Sequence, residues 1–388
     1  MAKGHACMLA YANYFNDARI KNYVDALLKS GYEVDVFALG EGAPAQRGLR
    51  VFSLMDKVAS RRALPYLISQ LAFFLRALVA VTRSRPYDLV HVHNMPDFIV
   101  YCAVFAKLRG AHIMLDIHDT MPEAYATKFD LDLSHPLIKV LRFEERLSAM
   151  FADVVITTNE LHRTALIGHG IPAHKIELIM NVGNPAIFQP RTQRPHARTS
   201  LVLGYHGTVA ERLGLDLIVE AVRRALPACP GLRFVVLGDG EFMPELRAQV
   251  SAAGLEDVVA LRGWLPVEDL PRALDEVDVG VVGNRRRTEL RQNWMLPVKM
   301  LEYAAMEIPT IAPRLRVINY YFDEQSALLY EPDDVADLAR VIQAVYDDRG
   351  LLDRLRAGLR EFNARYNWPG MEARYLGLAA GSRRLLRG

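Results

Sequence analysis

The stretch LVLGYHGTVAERLGLDLIVEAVRRAL, residues 201–226, shows a pattern of apolar and polar residues that recurs along the rest of the chain. Its first six residues are a short apolar run typical of a buried strand, and residues 215–226 have the spacing of an amphipathic helix. Gly207 and Gly214 interrupt the apolar pattern between the two, as a loop from strand to helix requires. The stretch therefore predicts one strand–loop–helix unit of an α/β domain.

The same alternation extends in both directions along the chain. Apolar strand runs separated by helices indicate parallel sheets that are covered on both faces. Beyond the first unit we predict strands at 233–237, 258–262, 277–282 and 310–312, and helices at 244–253, 266–273, 297–306 and 334–347. Before it we predict strands at 6–11, 34–39, 88–93, 112–117 and 154–158, and helices at 16–30, 64–81 and 98–108.

The alternation pauses at residues 189–200, QPRTQRPHARTS, which are polar, contain two prolines and show no apolar period. Such a segment is typical of a linker. The sequence therefore predicts an α/β fold with two doubly wound, Rossmann-like domains, over 1–188 and 201–370. Ligands of such sheets bind at the carboxyl ends of the strands, so we expect the site in the cleft that the two domains face.

Composition excludes several functional classes. The formal net charge is +2, and no broad basic field indicates nucleic-acid binding. The three cysteines, at 7, 102 and 229, form neither a metal-spaced cluster nor a disulfide framework, which is typical of a reducing compartment. No basic segment followed by an apolar run and a cleavage site is recognised, so we expect a cytoplasmic protein.

The apolar segment 64–81 approaches the length of a membrane-spanning helix, but it contains Pro65, Ser69, Gln70 and Arg76. We interpret it as a helix buried against a sheet. The alternative is a helix with one face in contact with lipid, so that the protein would bind the membrane peripherally.

The loop that follows the strand at 201–206 has the composition of an anion site. Glycine allows backbone N–H groups to approach an anion, and the start of the next helix adds partial positive charge. Gly207 and Thr208 lie in this loop, and Arg212 could place its guanidinium on a diphosphate. An ordinary tight turn would explain the same residues. Gly238, in a Gly-Asp-Gly sequence after the next strand, is more typical of a turn.

The sequence LPVKMLEY, residues 296–303, is the strongest local feature. Leu296 and Pro297 open a helix, because proline is tolerated in the first helical turn. Lys299 and Glu302 are three residues apart and share one helical face. The lysine could neutralise a diphosphate, and the carboxylate could accept hydrogen bonds from a ribose diol. The alternative is a surface salt bridge between the two.

Polar residues also follow two strands of the first domain. His93 and Asn94 end one predicted strand, and His118 and Asp119 follow the next. Converging polar groups at strand ends favour binding of sugar hydroxyls or of the reacting centre. In contrast, residues 144–146 (Glu-Glu-Arg) are expected to be the solvated face of a helix.

Other patterns carry less weight. Residues 130–132 (Asp-Leu-Asp) resemble a metal-binding motif but lie in a loose polar connection, and no metal site is predicted. The three arginines at 285–287 are expected to be a solvated loop run, although phosphate or lipid binding is the alternative. Neither a G-x-G-x-x-G dinucleotide motif nor a P-loop is found.

Together these motifs resemble glycosyltransferase family 4, retaining enzymes of the GT-B fold. The likeness runs from residues 17–19 (Asp-Ala-Arg) to residues 366–368 (Tyr-Asn-Trp). Residues 296–312 (LPVKMLEYAAMEIPTIA) resemble the donor-binding helix of the family, and residues 204–214 (GYHGTVAERLG) resemble its phosphate loop. Residues 115–123 (LDIHDTMPE) resemble its acceptor and sugar loop, and residues 179–184 (IMNVGN) resemble its interdomain segment.

The resemblance implies a role for each matched residue. Glu302 would bind the ribose, Lys299 and Arg212 would hold the diphosphate, and His118 would contact the transferred sugar. Gly263 and Leu265 would frame the base, while Asp17 and Arg19 would face the acceptor or close over the phosphates. A last helix at 371–388 would cross back to the first domain. No metal or other cofactor is required, because the nucleotide sugar is a co-substrate.

The chain departs from the family pattern at four places, the first of which is the first loop, where a Gly-Gly pair is missing. Trp294 stands where a first glutamate is often found, eight residues before Glu302. Glu307 replaces a small glycine, and Leu213 replaces the lysine of the phosphate loop, so Arg212 must supply the charge.

The resemblance implies transfer of a hexose or N-acetylhexosamine to a lipid-linked or glycan acceptor in surface polysaccharide or glycolipid synthesis. A UDP-sugar is favoured over GDP-mannose as the donor. Two alternatives stay open at the level of sequence. One is a nucleotide-sugar epimerase, and the other is a non-catalytic scaffold that binds nucleotide sugars.

Overall fold

The computed structural model describes residues 3–56, 63–190, 200–286 and 294–381. The chain forms two compact units. The first comprises Met1–Met180 with Pro369–Gly388, and the second comprises Asn181–Trp368. The linker predicted at 189–200 lies largely outside the described residues, at 191–199.

The first unit is built on an eight-stranded sheet with the strand order β3-β4-β2-β1-β5-β6-β7-β8. All neighbours are parallel except β3 and β4, which form an antiparallel edge that the sequence did not predict. The strands are β1 (Gly4–Asn13), β2 (Tyr32–Leu39), β3 (Ala43–Gln46), β4 (Leu49–Met55), β5 (Leu89–His93), β6 (His112–Asp116), β7 (Val154–Thr157) and β8 (Ile176–Leu178).

Helices connect these strands. They are α1 (Ala18–Lys29), α2 (Ala63–Arg83), α3 (Val104–Leu108), α4 (Met121–Lys128), α5 (Pro136–Phe151) and α6 (Glu160–Gly168). A 3₁₀ segment, Asp97–Ala103, precedes α3, so the helix predicted at 98–108 is α-helical only in its last turn. The C-terminal helix, Trp368–Gly381, also packs in this unit, where Tyr375 lies fully buried against Tyr23.

The second unit contains a six-stranded, fully parallel sheet with the order β11-β10-β9-β12-β13-β14. Its strands are β9 (Leu201–His206), β10 (Leu232–Leu237), β11 (Val259–Leu261), β12 (Val279–Val281), β13 (Thr310–Pro313) and β14 (Leu328–Tyr330). Its helices are α7 (Leu215–Ala225), α8 (Met243–Ala252), α9 (Leu270–Ala273), α10 (Val298–Ala305), α11 (Arg316–Tyr321), α12 (Val335–Asp347) and α13 (Gly350–Arg365); the C-terminal helix is α14 (Trp368–Gly381).

In both sheets the strand order reverses next to the first strand, β1 or β9. This is the doubly wound topology that the sequence predicted. The central strands β5 and β9 are almost entirely buried, as strands covered on both faces should be. One predicted helix, 266–273, is shorter than expected. Only Leu270–Ala273 is α-helical, because Pro271 is accommodated in a first helical turn and not inside a helix.

Helix α5 contradicts the prediction for residues 144–146. Glu145 is fully buried and Glu144 is half-buried, so only Arg146 of the three is exposed. Glu145 accepts a hydrogen bond from the ring of His169 at 2.6 Å, and Glu144 accepts one from the Ser148 hydroxyl at 2.6 Å. The two acidic residues of this helix therefore face the protein.

Candidate functional site

The first turn of α10 carries Lys299, whose ammonium group is fixed by a residue of β9. Its Nζ donates a hydrogen bond of 3.0 Å to the hydroxyl of Tyr205 and lies 4.2 Å from the centre of that ring. Burial lowers the pKa of Lys299 to about 8, with Arg212 adding to this effect and Glu302 opposing it. A half-buried cation at a helix N-terminus is suited to bind a diphosphate.

One turn further along α10, Glu302 contacts the last residue of β9. Its Oε2 lies 2.6 Å from Nε2 of His206, a buried residue whose ring packs edge-on against Tyr303. Lys299 and Glu302 thus each contact a side chain of β9, in place of the surface salt bridge that was the alternative. Their shared helical face is held against the end of the central strand.

The loop after β9 approaches its neighbours closely enough to exclude side chains. A Cβ on Gly238 would lie 1.8 Å from the carbonyl oxygen of Gly207, and a Cβ on Gly214 would lie 2.0 Å from that of Gly283. Gly214 also has a φ of 63° at the start of α7. The backbones of three loops at the strand ends are therefore in direct contact. Position 238 needs glycine because of this close contact, and not only because it lies in a turn.

The remaining predicted donor residues surround this loop. Arg212 is exposed in the short turn Glu211–Leu213, and its charge contributes to the lowered pKa of Lys299. Thr208 is exposed, and its carbonyl oxygen accepts a 2.6 Å hydrogen bond from Tyr205. Leu296 and Pro297 are half-buried immediately before α10. Tyr205 therefore links the loop to Lys299.

The predicted base-framing loop follows β11. Gly263 has a φ of 77°, and Leu265 is half-buried against a cluster that includes Val235 and Leu237. Between them, Trp264 exposes 66% of its surface. An exposed indole is a side chain on which a planar base can stack, a feature that the sequence reasoning did not single out.

In the first unit, Asp116 at the end of β6 is the centre of a buried polar cluster. Its carboxylate accepts two hydrogen bonds from the Arg19 guanidinium, at 2.7 and 3.1 Å. Nδ1 of His93 lies 3.4 Å away, and Nδ1 of His118 lies 3.7 Å away. Burial raises the pKa of Asp116, but Arg19 and the histidines outweigh it, so the pKa is well below its ordinary value.

Asn94 and Asp116 together position the loop that carries His118. The side-chain oxygen of Asn94 accepts from the backbone N–H of His118 at 3.2 Å, and its amide donates to the carbonyl of Asp119. His118 stays partly exposed; burial lowers its pKa, but Asp116 and Asp119 reverse this and raise it above the ordinary value. His118 and Asp119 are half-buried, so their edges can be reached from solvent.

Asp17 and Arg19 both form hydrogen bonds within the first unit. Asp17 caps α1 by accepting from the N–H of Ile20 at 3.0 Å. Arg19 is buried, and its Nη1 donates to the carbonyl of Ile179 at 3.2 Å. In this structure Arg19 therefore binds the Asp116 carboxylate and holds it in place.

His91, His93 and Asp116 form the only group of potential metal ligands found among the described residues. All three are buried, and their donor atoms lie within 4.8 Å of one another. The Arg19 guanidinium already binds both oxygens of Asp116, and its charge opposes a cation there. In the other acidic motif, Asp132 accepts from the N–H of Ser134 at 2.7 Å and so shapes a turn.

The arginine run at 285–287 is partly neutralised. Arg285 forms an ion pair with Asp216, and Arg286 lies 3.7 Å from Glu331, while Arg287 lies outside the described residues. These ion pairs favour a solvated loop run over phosphate or lipid binding.

Comparison with known proteins identifies the chain. A family model described as "Glycosyl transferase 4-like domain" matches residues 17–181, and one described as "Glycosyl transferases group 1" matches residues 200–348. Together they match most of the chain. The chain belongs to the glycosyltransferases of the family 4 type. It is therefore a transferase, and the resemblance stated from the motifs is confirmed.

Curated relatives of this glycosyltransferase include two from Streptomyces. The 2-deoxystreptamine glucosyltransferase of Streptomyces kanamyceticus is 26% identical over 302 residues, 74% of this chain and 76% of the relative. The 2-deoxystreptamine N-acetyl-D-glucosaminyltransferase of Streptomyces fradiae is 29% identical over 322 residues, 72% of each chain. The chitobiosyldiphosphodolichol beta-mannosyltransferase of Debaryomyces hansenii is 22% identical over 335 residues, 76% of this chain and 69% of the relative.

Solved structures share the fold of this glycosyltransferase. Sucrose-phosphate synthase from Thermosynechococcus elongatus has a TM-score of 0.74 at 18% identity and covers 99% of both chains. Anabaena HepE, solved in complex with UDP-glucose, has a TM-score of 0.73 at 15% identity and covers 97% of this chain and 99% of its own. These likenesses confirm the predicted GT-B fold class.

Proposed function

We propose that this glycosyltransferase moves a hexose or N-acetylhexosamine from a UDP-sugar to a lipid-linked or glycan acceptor, with retention of the anomeric configuration. The observation that carries the donor half of this proposal is the pair Lys299 and Glu302. Both lie on one face at the start of α10, and both are fixed by adjacent residues of β9, Tyr205 and His206.

The chemistry of these groups matches the two ends of a nucleoside diphosphate. Lys299 and the N-terminus of α10 supply positive charge for the diphosphate, and exposed Arg212 adds a guanidinium. Glu302 supplies a carboxylate oxygen for the ribose hydroxyls. Gly207 leaves the loop beside Lys299 free of a side chain, since a Cβ there would lie 3.8 Å from Cε of that lysine.

Charge develops on the diphosphate as the bond to the sugar breaks. Lys299 and Arg212 are placed to stabilise that charge, so we propose that no metal is required. Retention follows if the acceptor hydroxyl attacks from the side on which the diphosphate leaves, with the leaving phosphate oxygen taking the proton. No dedicated carboxylate base is then needed. We assign His118 to contact the transferred sugar, as the family resemblance implies.

The names of similar proteins support a UDP-sugar. A structural neighbour was solved with UDP-glucose, and two relatives are named for glucosyl and N-acetylglucosaminyl transfer. One relative is named for a diphosphodolichol acceptor, which favours a lipid-linked acceptor. A soluble aminocyclitol is the second candidate acceptor, because two relatives are named for 2-deoxystreptamine. We propose that the reaction takes place in the cytoplasm, where the three free cysteines would stay reduced.

A transfer assay with purified protein tests this proposal. Radiolabelled UDP-glucose and UDP-N-acetylglucosamine are incubated with membrane lipid extracts or with 2-deoxystreptamine, and the product linkage is determined by NMR. We expect an α-linked product from these α-linked donors. Lys299→Ala and Glu302→Ala should reduce the rate at least about a hundredfold with unchanged circular dichroism. Wild-type rates in either folded variant would contradict the site, and a β-linked product would contradict retention.

A further inference from the structure

Three helices of the first unit turn large apolar side chains outward, and we call this surface the three-helix face. Helix α5 contributes Val140 and Phe143, which are 61% and 62% exposed. Such residues are normally scattered singly on a soluble protein, and a contiguous patch marks an interaction site. The members of the face are Leu67, Ile68, Leu71, Leu75 and Val79 on α2, Phe105 and Leu108 on α3, and Leu137, Val140, Phe143, Leu147 and Met150 on α5.

The orientation of α5 shows that this exposure belongs to the fold. A surface helix usually buries its apolar side and exposes its polar side. In α5 the inward side carries Glu145 and Ser148 beside Ile138 and Ala149, while the large apolar side chains of Phe143 and Leu147 are exposed. The bond from His169 to Glu145 holds the helix in this rotation.

Helix α2 shows the same excess of exposed apolar surface. By length and composition, residues 65–83 could span a membrane, with a mean hydropathy of 1.5, but only 28% of this window is buried. A core helix of a soluble protein passes the same composition test while being mostly buried. Phe73, Ala77 and Val81 form the buried side of α2 and attach it to the sheet, so the helix belongs to the folded unit.

The segment between α2 and α5 joins the three helices into one surface. The ring of Phe98 lies 5.8 Å from that of Phe74 on α2, and the ring of Tyr101 lies 5.1 Å from that of Phe151 on α5. Arg109, directly after α3, donates to the carbonyl of Thr82 on α2 at 3.2 Å. The outward side chains of all three helices therefore lie on the same side of the sheet.

The charge around the face has one sign. In the described parts of α2, α3 and α5, together with the residue that follows α3, every exposed charged side chain is basic. The acidic residues of α5, Glu144 and Glu145, point inward. The exposed cations are Arg76, Arg83, Arg109, Lys139 and Arg146.

We infer that the three-helix face docks the enzyme on an anionic lipid bilayer. Helices that lie in a membrane interface combine an apolar side with basic residues, and both contribute to binding. A protein interface of this kind would need acidic groups opposite five cations, and a second copy of this face would place like charges together. Anionic lipid headgroups satisfy the cations while the acyl region receives the apolar side chains.

Vesicle flotation of the full-length protein tests the apolar part of this inference. The vesicles are phosphatidylcholine alone or a mixture with phosphatidylglycerol. We expect wild-type protein to float with the mixed vesicles, and the variant Val140→Ser/Phe143→Ser/Leu147→Ser to bind at least about tenfold more weakly. Tyr320→Ser, which removes an exposed ring from α11 in the second unit, should bind as wild type. All variants should remain folded, with wild-type circular dichroism, because none of the substituted side chains belongs to the buried core.

Charge reversal tests whether the basic residues of the three-helix face contribute to vesicle binding. Lys139→Glu/Arg146→Glu should weaken binding to the mixed vesicles about tenfold at 0.1 M salt, while Arg340→Glu on α12 should not. Equal binding of the triple-serine variant and wild type would overturn the proposal, as would equal binding to neutral and mixed vesicles. A wild-type dimer that the triple-serine variant dissociates, without vesicle binding by either, would also overturn it and assign the face to a second copy.

Discussion

At the scale of single residues, the lysine of α10 decides how the donor half of the site responds to pH. Lys299 donates to Tyr205 and is half-buried, so the protein has already removed part of its hydration before a ligand binds. A cation in this state is a stronger partner for a diphosphate than a fully hydrated one. It is also easier to deprotonate, and its pKa is about 8.

This pKa predicts how nucleotide affinity depends on pH. Below about pH 8 Lys299 is protonated and, under our proposal, would bind the diphosphate, whereas above that value the free protein increasingly carries a neutral amine. We expect the Kd for UDP, measured by calorimetry, to change little between pH 7 and pH 7.5 and to rise roughly tenfold by pH 9. In Lys299→Arg, whose guanidinium stays charged, the Kd should be independent of pH in this range. The same rise in Lys299→Arg would show that another group titrates.

The sequence could predict the pair Lys299 and Glu302 because their separation places them on one helical face whatever surrounds the helix. It could not predict that Tyr205 and His206 hold them, because that depends on how β9 packs beside α10. The same limit applies to Asp116. Asp116 belongs to the motif at residues 115–123, but its contacts with Arg19 and His93 bring together residues that are distant in sequence.

At the scale of elements, glycines decide whether the strand-end loops can come together. Gly214 and Gly254 have the same φ of 63°, but they differ in their surroundings. A Cβ on Gly214 would meet the carbonyl oxygen of Gly283 at 2.0 Å, whereas a Cβ on Gly254 would have nothing within 4 Å. An alanine at 254 therefore measures the free-energy cost of the left-handed backbone alone, whereas an alanine at 214 adds the cost of the steric clash.

We expect Gly254→Ala to lower the free energy of unfolding by about 1 kcal/mol, which is the cost of a left-handed alanine. Gly214→Ala should cost about 1–3 kcal/mol more, because the loop after β12 must move away. Urea denaturation of both variants measures the difference, and nucleotide affinity should fall in Gly214→Ala alone. Equal destabilisation of the two would contradict the close packing of these loops.

Three helices of the first unit meet at a histidine. His169 follows α6, lies 3.3 Å from Glu123 on α4 and hydrogen-bonds Glu145 on α5 at 2.6 Å. Burial alone would lower the pKa of His169, but the two carboxylates outweigh it and raise the pKa to about 9. Since the folded pKa exceeds the unfolded one, the protonated ring stabilises the fold.

This stabilisation should be complete below about pH 6.5 and should disappear as the pH rises through 9. We expect the free energy of unfolding of the wild type to fall by up to about 3 kcal/mol across that range. His169→Gln should lack this part of the pH dependence, so its free energy of unfolding should fall less than that of the wild type, while His174→Gln, at an exposed position on a nearby turn, should match the wild type. Chemical denaturation at several pH values provides the measurement, and an unchanged fall in His169→Gln would exclude this network as its source.

Element by element, periodicity predicted most strands and helices, since the alternation of apolar runs survives in any parallel sheet. It did not predict which side of α5 faces inward. The sequence predicted a solvated face at Glu144, Glu145 and Arg146. The inward orientation of Glu145 depends on its hydrogen bond with His169, which follows a different helix. The antiparallel strand β3 was missed for a related reason, because four residues are too short to show a period.

At the scale of the whole molecule, the chain consists of two units that each contain a doubly wound sheet. The two family models match one unit each over most of its length, which fixes the class of enzyme. Fold and class could be predicted because they depend on many motifs at once. The donor, the acceptor and the linkage could not, because they depend on a few contacts with the ligands and not on a repeated pattern.

Our proposal requires that the second unit binds a UDP-sugar through Lys299 and Glu302. Binding measured by calorimetry with UDP, GDP, ADP and pyrophosphate tests it most directly. We predict that UDP binds most tightly, that Lys299→Ala loses affinity for both UDP and pyrophosphate, and that Glu302→Ala loses affinity for UDP by about ten- to a hundredfold while binding pyrophosphate as wild type. If UDP does not bind, or if Glu302→Ala weakens pyrophosphate as much as UDP, the assignment of the donor site is contradicted.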